Sequence, residues 1–239
     1  MFDLLRQAIV DERPVALATV IQGPNTGAKV LIEAAGPVHG TLGNATLDEQ
    51  VQQEALVLLD AETSTTRTYA TTQGEHDVLI EAYPSPPHLV IVGAVHTAIS
   101  LTTCAKELGF RVTIVDPRSA FATPERFGHA DELVTAWPDE ALPTLRLDRS
   151  TYVAVLTHDP KLDNPAVRIA LQHPVRYVGA LGSPKTQEKR KQALRDEGVS
   201  ETDLQRIHGP IGLSINAKTP AEIAIAILAE IVAVRRQKK

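Results

Sequence analysis

"LVIVGAVHTA", residues 89–98, decides the fold class of this chain. The apolar run Leu89–Val92 suits a short strand buried on both faces, and Gly93 permits a tight turn from it into a helix. A dinucleotide fingerprint reads G-x-G-x-x-G or G-x-G-x-x-A. Here Gly93 and Ala98 hold the outer positions, and Val95 stands where the middle glycine belongs. That glycine lets the backbone approach a pyrophosphate; a β-branched side chain fills the space and resists a positive φ. The turn is predicted to keep its strand-to-helix geometry with a weakened phosphate contact, which counts against tight NAD binding in the usual pose.

Working outward, "HTAISLTTCAKELG" (96–109) places Ala98, Leu101, Ala105 and Leu108 at helical spacing, with Gly109 at the C-cap. Then come "RVTIVD" (111–116), "ELVTAW" (132–137), "TYVAVLT" (151–157) and "RYVGALG" (176–182), separated by helical or turn segments. Such alternation predicts right-handed crossovers and a Rossmann-like, doubly wound parallel sheet of the α/β class over residues 89–239. Two later helices are announced by their caps: Ser183-Pro184, and the capping box Thr219-Pro220-Ala221-Glu222.

Upstream, the proline-rich "EAYPSPPH" (81–88) reads as a linker. Before it, "VALATVIQ", "KVLIEAAG", "TRTYATT" and "DVLIEAY" read as strands and "LDEQVQQEALVLLD" (47–60) as a helix. Residues 1–80 are therefore predicted to form a smaller α+β domain. The start, "MFDLLRQAIVDERP", reads as an amphipathic helix rather than a signal peptide.

The 239 residues carry 24 basic and 29 acidic side chains, a balance of −5 without long runs of either sign. That argues against a nucleic-acid or membrane-surface protein. The most apolar stretch, "IAIAILAEIVAV" (223–234), is too short for a bilayer, which needs about 20 residues. A single cysteine, Cys104, precludes an internal disulfide and fits a reducing, cytoplasmic setting. On the inward face of its helix, Cys104 reads as a packing thiol. The helix over 219–236 is apolar nearly all round, so it is read either as a homodimer contact or as a core helix packed within one chain.

In a doubly wound sheet, ligands bind outside the carboxyl ends of the strands. Four loops are predicted to converge there: Gly93-Ala94-Val95-His96, Asp116-Pro117-Arg118, Thr157-His158-Asp159 and Gly179-Ala180-Leu181-Gly182-Ser183. Asp116 lies 23 residues after Gly93, close to where an acid holds a ribose 2′-hydroxyl; its other reading is a turn cap, and Arg118 would favour a 2′-phosphate instead. Gly182 and Ser183 open a helix whose N–H groups and dipole favour an anion, with Lys185 adding charge; a plain capped loop is the other reading. Asp159-Pro160 reads as a helix cap, leaving His158 as the catalytic candidate. The eight histidines show no metal-ligand spacing, and no metal is expected.

The second half of the chain resembles the XdhC/CoxI family of accessory proteins for molybdenum hydroxylases. The resemblance is carried by "LVIVGAVHTA", "ELGFRVTIVDPRSAFA", "LTHDPKLDNPAV", "YVGALGSPKT" and "IHGPIGLSINAKTPAEIAIAILAEIVA", with "PVALATVIQ" near the start. It implies a maturation factor that handles the molybdenum cofactor (molybdopterin), in its insertion or sulfuration, with a nucleotide- or pterin-binding site at the sheet edge. The family's turn commonly reads G-A-G-H, against Val95 here. Its S-G-G-C-V-E stretch corresponds to "GTLGNATLDEQV" (40–51), with Thr46 at the cysteine position, and "TTQGEHDV" lacks the later C-G-G. The implied partners are a hydroxylase large subunit or a thiol-bearing maturation protein. The rival readings are an NAD(P)-dependent oxidoreductase and a nucleotide sensor; no hydride-transfer constellation such as Tyr-x-x-x-Lys is evident.

Overall fold

The computed structural model describes residues 1–237, and these divide into two units, 1–85 and 86–237. The first begins with helix α1 (Phe2–Val10), followed by strands β1 (Val15–Gln22), β2 (Lys29–Glu33) and β3 (Val38–Thr41). Helix α2 (Ala45–Asp60) and strands β4 (Thr65–Thr71) and β5 (Gly74–Tyr83) complete it. The strands form an antiparallel sheet in the order β3-β2-β1-β5-β4. The two-residue period of β1 sorts its side chains. Ala16, Ala18 and Val20 pack beneath Leu47, Val51 and Ala55 of α2, while Val15 and Leu17 face Ala8 of α1. Strand β3 escapes the periodicity of the sequence, because "VHGT" has one apolar residue and a glycine. Residues 81–83 of the expected linker close β5, and His88 opens the next strand.

The second unit contains β6 (His88–Val92), α3 (His96–Glu107), β7 (Arg111–Val115), α4 (Pro124–Phe127), β8 (Glu132–Val134) and α5 (Pro138–Ala141). A 3₁₀ turn (Leu142–Thr144) leads to β9 (Thr151–Val155), α6 (Pro160–Leu171), β10 (Tyr177–Ala180) and α7 (Pro184–Asp196). Then come α8 (Glu201–Leu204), the two-residue β11 (Ile207–His208) and α9 (Pro220–Arg236). All six strands run parallel in the order β8-β7-β6-β9-β10-β11. Numbered by appearance within the unit, that is 3-2-1-4-5-6, the order of dinucleotide-binding folds. The expected Rossmann-like parallel sheet is therefore what the chain forms.

Each buried strand supplies both layers. Leu89 and Ile91 of β6 join Ala98 and Leu101 of α3 and Ile227 and Ile231 of α9. Val90 and Val92 join Val167 and Ala170 of α6 and Leu194 of α7. Cys104 is half-buried against the first layer, a packing position. Helix α9 lies along α3, and the two bury much of their apolar surface on each other within one chain. Among the described residues, no helix is long and apolar enough to cross a membrane.

Candidate functional site

In this strand order the crevice opens where connections leave β6 and β9 in opposite directions along the sheet. The two loops there are fitted to each other. Gly93 has φ +113°, and a Cβ at that position would lie 2.6 Å from Thr157 Cγ2. Only glycine combines that backbone with so close an approach. Val95 adopts an extended backbone (φ −88°, ψ 172°), so the position never calls for a positive φ, and its half-buried side chain packs against the core. Val95 forms the N-cap of α3 without supplying a capping side chain. Helices α6, α7 and α9 cap themselves: Asp159 accepts from Lys161 N, Ser183 from Thr186 N, and Thr219 with Glu222 forms the full capping box. Of these four, the amino terminus of α3, directly behind Gly93, is the one left without a side-chain acceptor.

Asp116 is fully buried at the end of β7. Its Oδ2 accepts from Ala94 N (2.7 Å) and Arg118 Nη2 (2.7 Å), and its Oδ1 from Arg118 N (2.9 Å) and Nε (2.8 Å). Four donors fill the acceptor sites of one carboxylate, so Asp116 offers nothing to a ribose hydroxyl. The turn-capping alternative describes what it does: it ties the β6 turn to the β7 turn and fixes the Arg118 guanidinium, which also lies over the Phe121 ring at 4.7 Å.

Burial alone would raise the Asp116 carboxyl, but the Arg118 side chain and the N–H groups of Ala94 and Arg118 outweigh it and hold the group below the ordinary carboxylate range. A depressed folded-state value stabilises the fold above the unfolded-state pKa, and that contribution is lost as pH falls through the folded value. Asp116→Asn should therefore flatten the acid limb of stability below about pH 4, as read by urea unfolding at stepped pH. An unchanged limb would remove Asp116 from the acid response.

A buried polar network with no signature in the sequence supports the other loops. Asp163, fully buried on α6, accepts from the Thr157 hydroxyl and from Arg190 Nη2 of α7 (3.0 Å). Arg190 also donates to Leu181 O (3.2 Å) and to Gln187 Oε1, and Gln187 Nε2 donates to Ala180 O (2.8 Å) and Gly182 O (3.4 Å). The β9 and β10 loops are held from below by one ion pair. Burial keeps the Asp163 carboxyl above its ordinary range despite Thr157 and Arg190. In the sequence, these residues sit in helices among many other polar side chains, and nothing in their spacing marks them as inward-facing.

Gly93 and Thr157 are thus in contact, Ala94, Asp116 and Arg118 are hydrogen-bonded, and Thr157 reaches Gly182 through the buried network. His96 and His158 are exposed, the latter in the left-handed region (φ +67°) beside Thr157, a conformation uncommon for a non-glycine residue. Asp159 serves as the expected cap, and the Ser183 hydroxyl is occupied in capping α7. Among the described residues, no group of three or more His, Cys, Asp or Glu is placed to hold a metal ion.

In the first unit, Thr46 lies exposed in the first turn of α2. Asn44, the α2 cap, donates through Nδ2 to Gln73 Oε1 (3.4 Å) in the β4–β5 turn. The two stretches without the family's cysteines are therefore neighbours in space.

A six-stranded parallel sheet in this order, with its crevice at the β6–β9 divide, defines a Rossmann-type domain, and a small α+β unit precedes it in the chain. Residues 89–231 match the model of the XdhC Rossmann domain, and residues 8–70 that of the XdhC and CoxI family. The chain belongs to the XdhC family. It is 28% identical to the uncharacterized protein YqeB of Escherichia coli K12, over 93% of this chain and 44% of that protein. It is 29% identical to a probable xanthine dehydrogenase subunit of Bacillus subtilis 168 (67% and 47%) and 27% identical to the molybdenum cofactor insertion chaperone PaoD of E. coli K12 (54% and 42%). The chain spans less than half the length of each of these relatives. A crystal structure described as a xanthine dehydrogenase from Bacillus halodurans superposes with a TM-score of 0.59 over 99% of this chain and 96% of that one; at 20% identity, it shows the shared fold.

Proposed function

We propose that this chain is an accessory factor for a molybdenum hydroxylase, holding a phosphate-bearing pterin cofactor as cargo at the carboxyl edge of the parallel sheet. The observation that carries the reading is the α3 amino terminus: behind Gly93, at the crevice, it has no capping side chain, whereas α6, α7 and α9 are capped by their own residues. Free N–H groups and the helix dipole suit a phosphate there. Two relatives support the same role by name, one a probable xanthine dehydrogenase component and the other a cofactor insertion chaperone.

Gly93, Ala94, Val95 and His96 form the phosphate side of the site, with Thr157, Gly182 and Ser183 bounding the opposite side. Asp116 and Arg118 act as its brace. The donor set suits the phosphate-bearing part of the cofactor; Thr46 offers no thiol for sulfur or molybdenum, so a thiol-bearing partner supplies that chemistry. The partner that receives the cargo is the hydroxylase large subunit, in the cytoplasm. A homodimer through the outer strip of α9, which exposes Ala221, Ile225 and Ala233, belongs to the same reading. The NAD(P) alternative loses its ribose acceptor, because the Asp116 oxygens are already taken.

Melting temperature with added ligand tests this. Molybdopterin released from a donor enzyme should stabilise the chain, by about 2.7 kcal/mol at a hundred times its dissociation constant. NAD, NADP, AMP and CTP should leave it unmoved. Stabilisation by NAD with none by the pterin would replace the accessory role with an oxidoreductase or sensor.

A further inference from the structure

The turn after β7 fixes one charged side chain firmly and leaves part of it open to water. In "DPRSAFA" (116–122), Pro117 restricts the backbone, and Arg118 O accepts from Phe121 N (2.9 Å) and Ala122 N (3.0 Å). The tight turn that results brings the Phe121 ring against the Arg118 guanidinium, whose central carbon lies 4.7 Å from the ring centroid. Arg126 Nη1 fastens the turn from outside by donating to Phe121 O (2.8 Å). Ala94 N and Arg118 Nη2 each lie 2.7 Å from the same oxygen, Asp116 Oδ2. The guanidinium and the β6–α3 turn therefore flank a single carboxylate atom, which sets Arg118 beside the phosphate side of the crevice.

The Nε and Nη2 edge of the guanidinium is spent on Asp116, and one of its faces lies on Phe121. Nη1 has no hydrogen-bond partner among the described residues, and the side chain keeps 36% of its surface in water. The Asp116 brace uses one edge of the group and leaves the opposite face without a role within the chain. The charge is already answered: Asp116 touches it, and Asp159 and Asp163 act on it from the β9–α6 side. A cation compensated in this way is a poor anion ligand, but its rigid plane is intact. Its attraction for a π face is a short-range contact that needs no anion.

We propose that the Arg118 guanidinium, backed by Phe121 and held flat by Asp116, is the stacking platform for the heteroaromatic pterin ring of the cargo. The proposal rests on the accessory role above and gives the two ends of the cargo separate receptors. The phosphate meets the uncapped amino terminus of α3, and the uncharged ring meets the open face of Arg118, across the Asp116 carboxylate. Because three contacts already immobilise the guanidinium, stacking costs it little further side-chain entropy. A nucleobase offers a flat face of the same kind, and the experiment separates the two sources.

The test titrates the full chain with molybdopterin, either intact or with its phosphate removed by a phosphatase, and follows the heat of binding. Arg118→Lys keeps a cation beside Asp116 and loses the plane, so it should weaken intact molybdopterin about tenfold. Phe121→Leu removes the layer behind the guanidinium and should weaken it about threefold. Phe121 is 46% exposed, so this second variant keeps its fold and carries the test even where Arg118→Lys does not. Each variant should weaken the dephosphorylated cofactor by the same factor as the intact one, because ring and phosphate are read at separate places. An Arg118→Lys penalty that vanishes once the phosphate is removed would make Arg118 an anion ligand and overturn the platform. Wild-type affinity in both variants also overturns it and leaves the accessory role standing. CMP or AMP bound as tightly as molybdopterin, and lost in Arg118→Lys, would assign the face to a nucleobase instead of a pterin. Wild-type protein that binds neither form of molybdopterin removes the accessory role, and the platform with it.

Discussion

Arg190→Ala should cost about 3–5 kcal/mol of stability, the expected loss when one partner of a buried ion pair is removed. The Arg190 side chain is 4% exposed and that of Asp163 0%. Without the guanidinium, Asp163 keeps only Thr157 as a side-chain partner among the described residues, and Leu181 O and Gln187 Oε1 each lose a donor. The carboxylate must then protonate or draw in water, and both disturb the β9 and β10 loops. The informative companion is Asp163→Leu/Arg190→Met, which removes both charges at once and should recover most of the loss. Guanidinium denaturation of the three proteins checks this. A single-variant cost below about 1 kcal/mol would place the pair in a solvated setting.

Gly93→Ala carries the second large effect and acts through two causes that can be separated. Its φ of +113° strains any residue with a Cβ, by about 1–3 kcal/mol. The new methyl would also meet Thr157 Cγ2 at 2.6 Å and Thr157 N at 3.2 Å, an overpacking worth about 1–3 kcal/mol more. Gly109→Ala serves as the control, because Gly109 also has a positive φ (+76°) but nothing within 4 Å of its would-be Cβ. Gly93→Ala should therefore lower the melting temperature clearly more than Gly109→Ala, and it should also weaken the molybdopterin shift by pushing the α3 turn away from β9. Equal losses in the two variants would mean that the close approach of the β6 and β9 loops carries no energy.

The parallel sheet was legible because its strands are continuous apolar runs bounded by Gly, Asp and Thr, and because Gly109, Ser183 and Thr219 punctuate its helices. Strands β3 and β11 were not, since a four-residue edge strand and a two-residue strand carry too few apolar positions to show a period. At the site, Gly93 was legible by its place after a strand. The meaning of Val95 was not: its backbone is extended, a conformation valine adopts readily, and no positive φ is required there. Asp116 was legible as an acid ending a strand, but its choice of partner was made by Arg118, two residues away, and by the Ala94 N–H across the sheet edge. Asp163, Gln187 and Arg190 lay hidden because a helix in contact with two loops can bury polar side chains without any apolar stripe.

The packing of α9 has a consequence for the order in which the second unit is made. Strand β6 and helix α3 are its first elements to leave the ribosome, yet their outer layer is completed by Ala224, Ile227, Leu228 and Ile231 of α9, more than 110 residues later. Until those residues emerge, Leu89, Ile91 and Leu101 lack a large share of their apolar neighbours. The antiparallel unit, whose buried apolar clusters are formed by residues of α1, α2 and the strands of its sheet, can by then have closed. Synthesis therefore passes through a long interval in which one half is folded and the other exposes an uncovered sheet face, the stage at which this chain is most exposed to aggregation and most dependent on chaperones.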